Sequence, residues 1–142
     1  MNKDLMFSSK TDLWSTPQAF FDRYNAIHNF DLDVCSTKEN AKCGNYYTVE
    51  DDGLVQHWTG NVWMNPPYGR EIGKWVEKAY NSVFVEGTAN KVVCLLPSRT
   101  DTKWFHSFCV KGDIEFIKGR LKFGDAKNAA PFPSMIVIFE KE

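Results

Sequence analysis

Residues 65–69 read Asn-Pro-Pro-Tyr-Gly and follow an apolar run that is typical of a buried strand. This motif has the groups needed to hold a primary amine, because the Asn65 side-chain oxygen and the Pro66 main-chain carbonyl can each accept one N–H. The two acceptors would stabilise the positive charge that develops on the nitrogen as it attacks. Pro66 and Pro67 have fixed φ angles and no N–H, which holds the Pro66 carbonyl in one direction. Tyr68 would offer a flat face to a base. The motif therefore predicts a site that activates an amine.

The same five residues resemble the catalytic motif of amino-group methyltransferases. The competing interpretation is a turn that merely ends the strand, since Asn, Pro and Gly all favour turns for local reasons. We favour the catalytic interpretation because open α/β sheets bind ligands outside the carboxyl ends of their strands, which is where the motif falls. The motif alone leaves the target open among adenine amines, cytosine amines, guanine amines in RNA and glutamine side chains.

The elements that must position this loop alternate between helices and strands. Hydrophobic periodicity and capping residues predict helices that start at Thr16 and Pro17, with Thr as the cap and Pro at the first helical position, and at residues 71 and 102. The helices are expected to end near residues 28, 84 and 110, and residues 52–58 to hold one helical turn. Strands are predicted over residues 30–34, 46–49, 61–64, 91–96, 114–117, 121–123 and 135–139, and a loop over residues 125–133. This order predicts an α/β fold, a Rossmann-like sheet with an antiparallel edge and flanking helices.

Composition limits the other functions that the chain could have. A length of 142 residues, 43% of them hydrophobic and 15% aromatic, fits one globular domain and argues against disorder. The sequence has no long apolar stretch and no signal-peptide core, so we expect a cytoplasmic protein with no membrane partner. The four cysteines and three histidines show no metal-ligand spacing, so we expect neither a metal site nor a disulfide framework. The formal net charge is −1, so any contact with nucleic acid must come from a local basic face.

From Trp14 onward the chain is similar to the small phage and prophage DNA N6-adenine methyltransferases. The segments that carry this resemblance are residues 14–17, 30–35, 52–54 with Trp58, 65–69, 96–105, 119–123 and 130–134. The resemblance implies S-adenosyl-L-methionine as cofactor and double-stranded DNA as substrate, with the target adenine flipped out, in a bacterial host cell. It also implies an N-terminal arm over residues 1–13 and one methyltransferase domain over residues 14–142, without a separate target-recognition domain. The alternatives are a methyltransferase on RNA or on cytosine N4, and a catalytically silent nucleic-acid-binding module.

The resemblance assigns the first half of the chain to the cofactor. Asp31 and Asp33 would lie at the end of the first strand, where a carboxylate can meet the methionine ammonium through a charge-assisted hydrogen bond. Thr16 and Pro17 would start a helix whose N-terminus attracts the methionine carboxylate. Asp52 matches the acidic residue that accepts from the cofactor adenine in relatives. The competing roles are loop caps for Asp31 and Asp33 and an Asp-Asp-Gly turn for Asp52. The full predicted cofactor set is Trp14, Thr16, Pro17, Asp31, Asp33, Cys35, Asp52 and Asn65.

The chain departs from the usual methyltransferase pattern directly after the first predicted strand. Residues 35–38 read Cys-Ser-Thr-Lys where methyltransferases usually carry a glycine-rich loop. Without glycines the backbone could not closely approach a pyrophosphate, so this departure does not favour a nicotinamide or flavin enzyme. S-adenosyl-L-methionine has no pyrophosphate.

Cations and aromatic residues that follow neighbouring strands predict the DNA-binding rim. Arg70 comes directly after the motif, and Arg99, Lys103 and Trp104 follow the next strand of the expected sheet. A flipped adenine would stack on Tyr68, and phosphate contacts would supply the remaining binding energy. The predicted DNA-binding set is Tyr68, Arg70, Arg99, Lys103, Trp104 and Arg120. Lys74, Lys78 and Lys118 are interpreted as ordinary solvated charges.

Overall fold

The computed structural model describes residues 14–123 and 129–142. Within these ranges the elements follow in the order α1 Gln18–His28, β1 Leu32–Asp33, β2 Asn45–Tyr46, β3 Gly60–Met64, α2 Ile72–Phe84, β4 Ala89–Pro97, α3 Lys103–Ser107, β5 Asp113–Phe116 and β6 Ser134–Glu140. Two short 3-10 turns, Gly53–Val55 and Cys109–Lys111, precede β3 and β5 respectively.

The strands form one six-stranded sheet in the order β2-β1-β3-β4-β6-β5. Strands β2, β1, β3 and β4 run parallel, whereas β6 is antiparallel to both β4 and β5. The predicted α/β sheet with an antiparallel edge is therefore confirmed. The carboxyl ends of β1, β3 and β4 and the start of β6 lie at the same edge, because Pro97 pairs with Ser134. We call this the carboxyl edge.

Aromatic side chains fix the helices on opposite faces of the sheet. Trp63 of β3 packs edge-on against Phe21 of α1 at 5.3 Å between ring centroids. Phe139 of β6 packs against Tyr80 of α2 at 5.7 Å. Val93, the partner of Trp63, pairs with Ile138, and successive residues of a strand point to opposite faces. Helices α1 and α2 therefore cover opposite faces of the sheet.

The best-predicted elements are those with the clearest apolar pattern. Helix α2 buries Ile72, Trp75, Val76, Ala79 and Val83 on one face, as their spacing predicts. Strand β4 is fully buried from Val92 to Leu96, as expected for a strand covered on both faces. Full burial of each large apolar side chain contributes roughly 1.5–3 kcal/mol, so both elements contribute substantially to the core.

Other boundaries differ from the sequence prediction. Helix α1 begins at Gln18, and its N-cap residue is Pro17, without a side-chain cap. The predicted Thr16 cap is wrong, since the Thr16 hydroxyl bonds to Asn65 instead. The predicted strand over residues 121–123 is also wrong: the Leu121 carbonyl accepts from Ala130 N at 2.8 Å, a loop contact outside the sheet.

Three of the remaining segments keep their predicted place but are shorter than predicted. The strand expected over residues 30–34 is Leu32–Asp33, and the strand expected over residues 46–49 is Asn45–Tyr46. The helix expected over residues 102–110 divides into α3 and the 3-10 turn Cys109–Lys111. Of the loop expected over residues 125–133, residues 125–128 lie outside the described ranges. Among the described residues, no helix is long and apolar enough to cross a membrane.

Candidate active site

The Asn-Pro-Pro-Tyr-Gly loop begins directly after β3, at the carboxyl edge. It leads into α2, where Ile72 N donates to the Gly69 carbonyl at 3.2 Å. Pro66 is buried, and Asn65 and Pro67 are half-buried. The loop is thus held between β3 and the start of α2, which restricts the positions of its polar atoms.

The Asn65 amide is oriented by the segment that precedes α1. Its Nδ2 donates to the Trp14 main-chain carbonyl and to Thr16 Oγ1, the latter at 3.0 Å. A carbonyl can only accept a hydrogen bond, so the nitrogen end of the amide must face Trp14. Oδ1 then points the other way, is buried, and has no hydrogen-bond partner in the part of the chain that the structure describes. The site therefore presents a fixed acceptor with its lone pairs free.

The Tyr68 side chain is buried in this structure. Its ring is 3% exposed, and its hydroxyl donates to the Leu95 carbonyl at 2.9 Å. Burial raises the pKa of Tyr68 well above its ordinary value of 10, with a smaller opposing contribution from Arg99. Other side chains therefore cover the flat face that Tyr68 was expected to offer to a base. Stacking of a base on Tyr68 stays a prediction and requires these neighbours to move.

The covering side chains belong to a group of aromatic rings that sequence reasoning did not assign to the site. Phe123 and Phe132 pack edge-on against Tyr68, at 6.2 and 5.6 Å between centroids. Both also contact Trp14, at 5.4 and 5.1 Å. Phe123 is buried, whereas Phe132 is half-buried. The signal in the sequence was the Ala-Pro-Phe-Pro-Ser segment over residues 130–134, which the family resemblance included without giving it a role.

Three serine hydroxyls at the carboxyl edge were also missed. The Oγ atoms of Ser36, Ser98 and Ser134 are buried, and none has a hydrogen-bond partner within residues 14–123 and 129–142. Ser36 follows β1, Ser98 follows β4 and Ser134 opens β6. Buried polar groups are normally paired, and exceptions require an explanation. The three hydroxyls and Asn65 Oδ1 thus give the carboxyl edge four buried polar atoms without partners among the described residues. The sequence does not indicate which hydroxyls stay unpaired.

Asp33 is the buried carboxylate at this edge. It is 2% exposed and accepts from Lys42 N at 3.0 Å and from Cys35 N at 3.3 Å. Burial raises the pKa of Asp33 to about 6, and the two backbone N–H groups oppose that rise. Asp33 thus caps the loop that follows β1, which is the role that the sequence analysis gave as the alternative to cofactor binding. Its predicted contact with the cofactor stays a prediction.

Asp31 does not share the position of Asp33. It precedes β1, and its carboxylate accepts from Asn61 N at 2.8 Å. Since Leu32 pairs with Val62, Asp31 lies beside Asn61, four residues before Asn65. That separation is roughly 13 Å along a strand, so Asp31 lies toward the amino end of the sheet. The expectation that Asp31 lies at the end of the first strand is wrong.

Two further residues of the predicted cofactor set have local roles. Asp52 Oδ1 accepts from Leu54 N at 3.2 Å and caps the turn Gly53–Val55, so the turn alternative is present. Cys35 follows β1 and is level with Asn65, because Asp33 pairs with Trp63. Burial raises the pKa of the Cys35 thiol to about 12, so this thiol is neutral at physiological pH. All four cysteines, Cys35, Cys43, Cys94 and Cys109, are free.

The predicted DNA-binding cations partly converge on the carboxyl edge. Arg70, Arg99 and Lys103 are exposed and follow β3 and β4. Thr102 holds the segment between β4 and α3, since its hydroxyl donates to the Arg99 carbonyl at 2.8 Å and accepts from Phe105 N. Trp104 is half-buried and packs near Gly73 of α2, where an added Cβ would lie 3.5 Å from its ring. Arg120 reaches the Ala130 carbonyl at 3.5 Å, next to the aromatic group.

The sheet is mixed, helices cover both of its faces, and the Asn-Pro-Pro-Tyr-Gly loop follows the central parallel strand. These features define a Rossmann-like methyltransferase fold. The 23S rRNA methyltransferase ErmE has a similar fold, with a TM-score of 0.54 over 91% of this chain and 70% of that one, at 11% sequence identity. An identity this low shows the fold alone.

The chain belongs to the DNA N-6-adenine-methyltransferase (Dam) family, whose model matches residues 4–142. The DNA N-6-adenine-methyltransferase of Haemophilus phage HP1 is 34% identical over 99% of this chain and 85% of the relative. That of Escherichia phage T1 is 37% identical over 66% of this chain and 39% of the relative. The predicted resemblance and the adenine-specific DNA methyltransferase activity are thereby confirmed. The alternatives of an RNA or cytosine target and of a silent module are not supported.

Proposed function

We propose that Asn65 and Pro66 hold the N6 amine of a flipped-out adenine of double-stranded DNA, with S-adenosyl-L-methionine bound over the carboxyl ends of β1 and β3. The observation that carries this proposal is the Oδ1 atom of Asn65, which is buried and has no hydrogen-bond partner among the residues that the structure describes. A buried acceptor without a partner costs about 1–3 kcal/mol, so its retention in a fixed orientation points to a ligand that completes it.

The residues at the carboxyl edge fit S-adenosyl-L-methionine. Ser36 provides a buried hydroxyl without a partner among the described residues, and Asp33 provides a buried carboxylate for an ammonium group. Cys35, Thr16 and Pro17 lie against the same edge, because Thr16 bonds to Asn65 and Cys35 is level with it. When bound, S-adenosyl-L-methionine supplies an electrophilic methyl group.

The chain supplies the polarisation of the amine. Asn65 Oδ1 accepts one N–H of the exocyclic nitrogen, and the Pro66 carbonyl accepts the other, so the nitrogen lone pair is drawn out of conjugation with the ring. Positive charge that develops on nitrogen is stabilised by both acceptors. Since the acceptors are fixed before the base arrives, no reorganisation is needed as the reaction proceeds.

Recognition of DNA combines charges and aromatic rings at the same edge. Arg70, Arg99 and Lys103 are free to meet phosphates, because they are exposed around the loop. Tyr68 is covered by Phe132, so an entering base meets the half-buried Phe132 ring first. Flipping costs a few kcal/mol, and stacking returns about 1–3 kcal/mol per base.

Replacement of Asn65 tests this proposal. In Asn65→Ala, methyl transfer to duplex DNA should fall by about 10²–10³, the usual effect of losing one preorganised hydrogen-bonding group. The dissociation constant of S-adenosyl-L-methionine, measured by calorimetry, should stay near that of the wild type. Asn61→Ala, which removes an amide from the same strand at its amino end, is the matched control and should retain activity. A normal tritium-transfer rate in Asn65→Ala would remove Asn65 from the mechanism.

A further inference from the structure

The Thr16 hydroxyl has an unexpected partner. In the family resemblance Thr16 belongs to the element that cradles the cofactor, and as a helix-start residue it should cap α1. In the structure it does not cap α1, whose N-cap residue is Pro17. Thr16 is 6% exposed, and its Oγ1 accepts from Asn65 Nδ2 at 3.0 Å across 49 residues of sequence.

We propose that Thr16 is a positioning residue for methyl transfer: its hydroxyl, with the Trp14 carbonyl, locks the Asn65 side-chain amide so that Oδ1 faces the target amine. The proposal rests on the function proposed above for Asn65. It concerns how that amide is held, and it does not require Thr16 to touch the cofactor.

The geometry explains why two acceptors are needed. The terminal torsion of an asparagine side chain is broad and roughly two-fold, so packing alone orients the amide poorly. The Trp14 carbonyl selects the nitrogen end, because a reversed amide would bring two acceptors together. A single hydrogen bond still lets the amide plane swing about it. The second bond, to Thr16 Oγ1, occupies the other N–H and fixes the plane.

The fixed plane determines the direction of the unpaired Oδ1. Displacement of a reacting partner by about 1 Å can cost roughly 10²-fold in rate. Thr16 is therefore expected to contribute to the rate of the chemical step while contributing little to the affinity for either substrate.

Thr16→Val is the direct test, because it removes the hydroxyl and keeps the side-chain shape. With cofactor and DNA saturating, the single-turnover rate should fall roughly 10- to 100-fold, while the dissociation constant of S-adenosyl-L-methionine and the melting temperature stay near wild type. Thr16→Ser should restore most of the rate. Ser15→Ala removes the neighbouring hydroxyl, which accepts from Asn40 Nδ2 at 3.2 Å, and should leave the rate unchanged.

A spectroscopic readout tests the contact without any turnover. In the cofactor-free protein the side-chain amide signals of Asn65, assigned by their absence in Asn65→Ala, should shift in Thr16→Val and return in Thr16→Ser. If Thr16→Val destabilises the fold, the comparison of Thr16→Ala with Thr16→Ser provides the same contrast.

Three results would overturn the positioning role. They are an unchanged single-turnover rate in Thr16→Val, a cofactor affinity that falls by the same factor as the rate, and a Thr16→Ser variant as slow as Thr16→Val. Loss of activity in Asn65→Ala together with normal activity in Thr16→Val would reject this inference alone. Normal activity in Asn65→Ala would reject the proposed function.

Discussion

Replacement of Asp33 by Asn should separate stability from cofactor binding, because the carboxylate is buried and is also the group that we propose to contact the cofactor. Asp33 is 2% exposed, and burial raises its pKa from 3.8 to about 6. This difference corresponds to roughly 3 kcal/mol at 1.36 kcal/mol per pH unit, and it measures the approximate cost of keeping the carboxylate charged in the folded protein.

Thermodynamic linkage gives the direction in which stability changes with pH. Because the pKa of Asp33 is higher in the folded than in the unfolded chain, the folded chain holds the proton more tightly. The stabilisation is fully present below pH 3.8 and is lost as the pH rises through about 6. The unfolding free energy of the wild type minus that of Asp33→Asn should therefore fall by about 2.4 kcal/mol between pH 4 and pH 7, which is most of the full difference. The Asn side chain cannot accept both hydrogen bonds of the Asp33 carboxylate. That loss adds a constant to the difference in stability and does not change its dependence on pH.

Urea unfolding of both proteins across this pH range measures the difference. Binding of S-adenosyl-L-methionine at pH 8 should be weaker in Asp33→Asn by roughly 10- to 100-fold, since a charge-assisted hydrogen bond contributes about 1.5–3 kcal/mol. Asp31→Asn removes one charge near the amino end of the sheet and should leave this affinity unchanged. A pH-independent difference in stability would refute the burial argument. Unchanged affinity in Asp33→Asn would remove Asp33 from the cofactor site.

Two further predictions concern the DNA. Replacement of both Arg99 and Lys103 by Gln should reduce the magnitude of the salt slope of DNA affinity by about one to two. The control is replacement by Gln of both Lys111 and Lys141, which lie at the end of the sheet opposite the carboxyl edge and should leave the slope unchanged. Equal slopes in the two double variants would mean that the phosphates bind elsewhere. Phe132→Ala should lower the fluorescence increase of 2-aminopurine at the target position and cost about 1–3 kcal/mol of flipped-base stabilisation. A wild-type signal in Phe132→Ala would mean that the base does not contact this ring.

Elements defined by local pattern were predictable from the sequence. Helix α2 was predicted because its apolar residues recur at helical spacing, and β4 because it is a continuous apolar run. The position of Asn65 at the end of a strand followed from the apolar run before it. The strand predicted over residues 121–123 failed because three residues with strand-like composition carry no information about a pairing partner.

The features that the sequence could not give all depend on distant contacts. Tyr68 is buried because Phe123 and Phe132, more than fifty positions away, pack against it. Thr16 bonds to Asn65 rather than capping its own helix, and helix-start statistics describe only the local alternative. Asp31 and Asp33 are two residues apart, yet the pairing of β1 with β3 assigns them to different ends of the sheet. In each case tertiary contacts override a local preference.

Analysis of methylated nucleosides is the most direct test of the central claim, that the Asn65 site methylates the N6 amine of adenine in duplex DNA. Purified protein would be incubated with unmethylated duplex DNA and S-adenosyl-L-methionine carrying a deuterated methyl group, and the hydrolysed DNA would be examined by mass spectrometry. We predict labelled N6-methyldeoxyadenosine with the wild type and a loss of at least about 100-fold with Asn65→Ala. Label in N4-methyldeoxycytidine, or equal labelling by Asn65→Ala, would contradict the account.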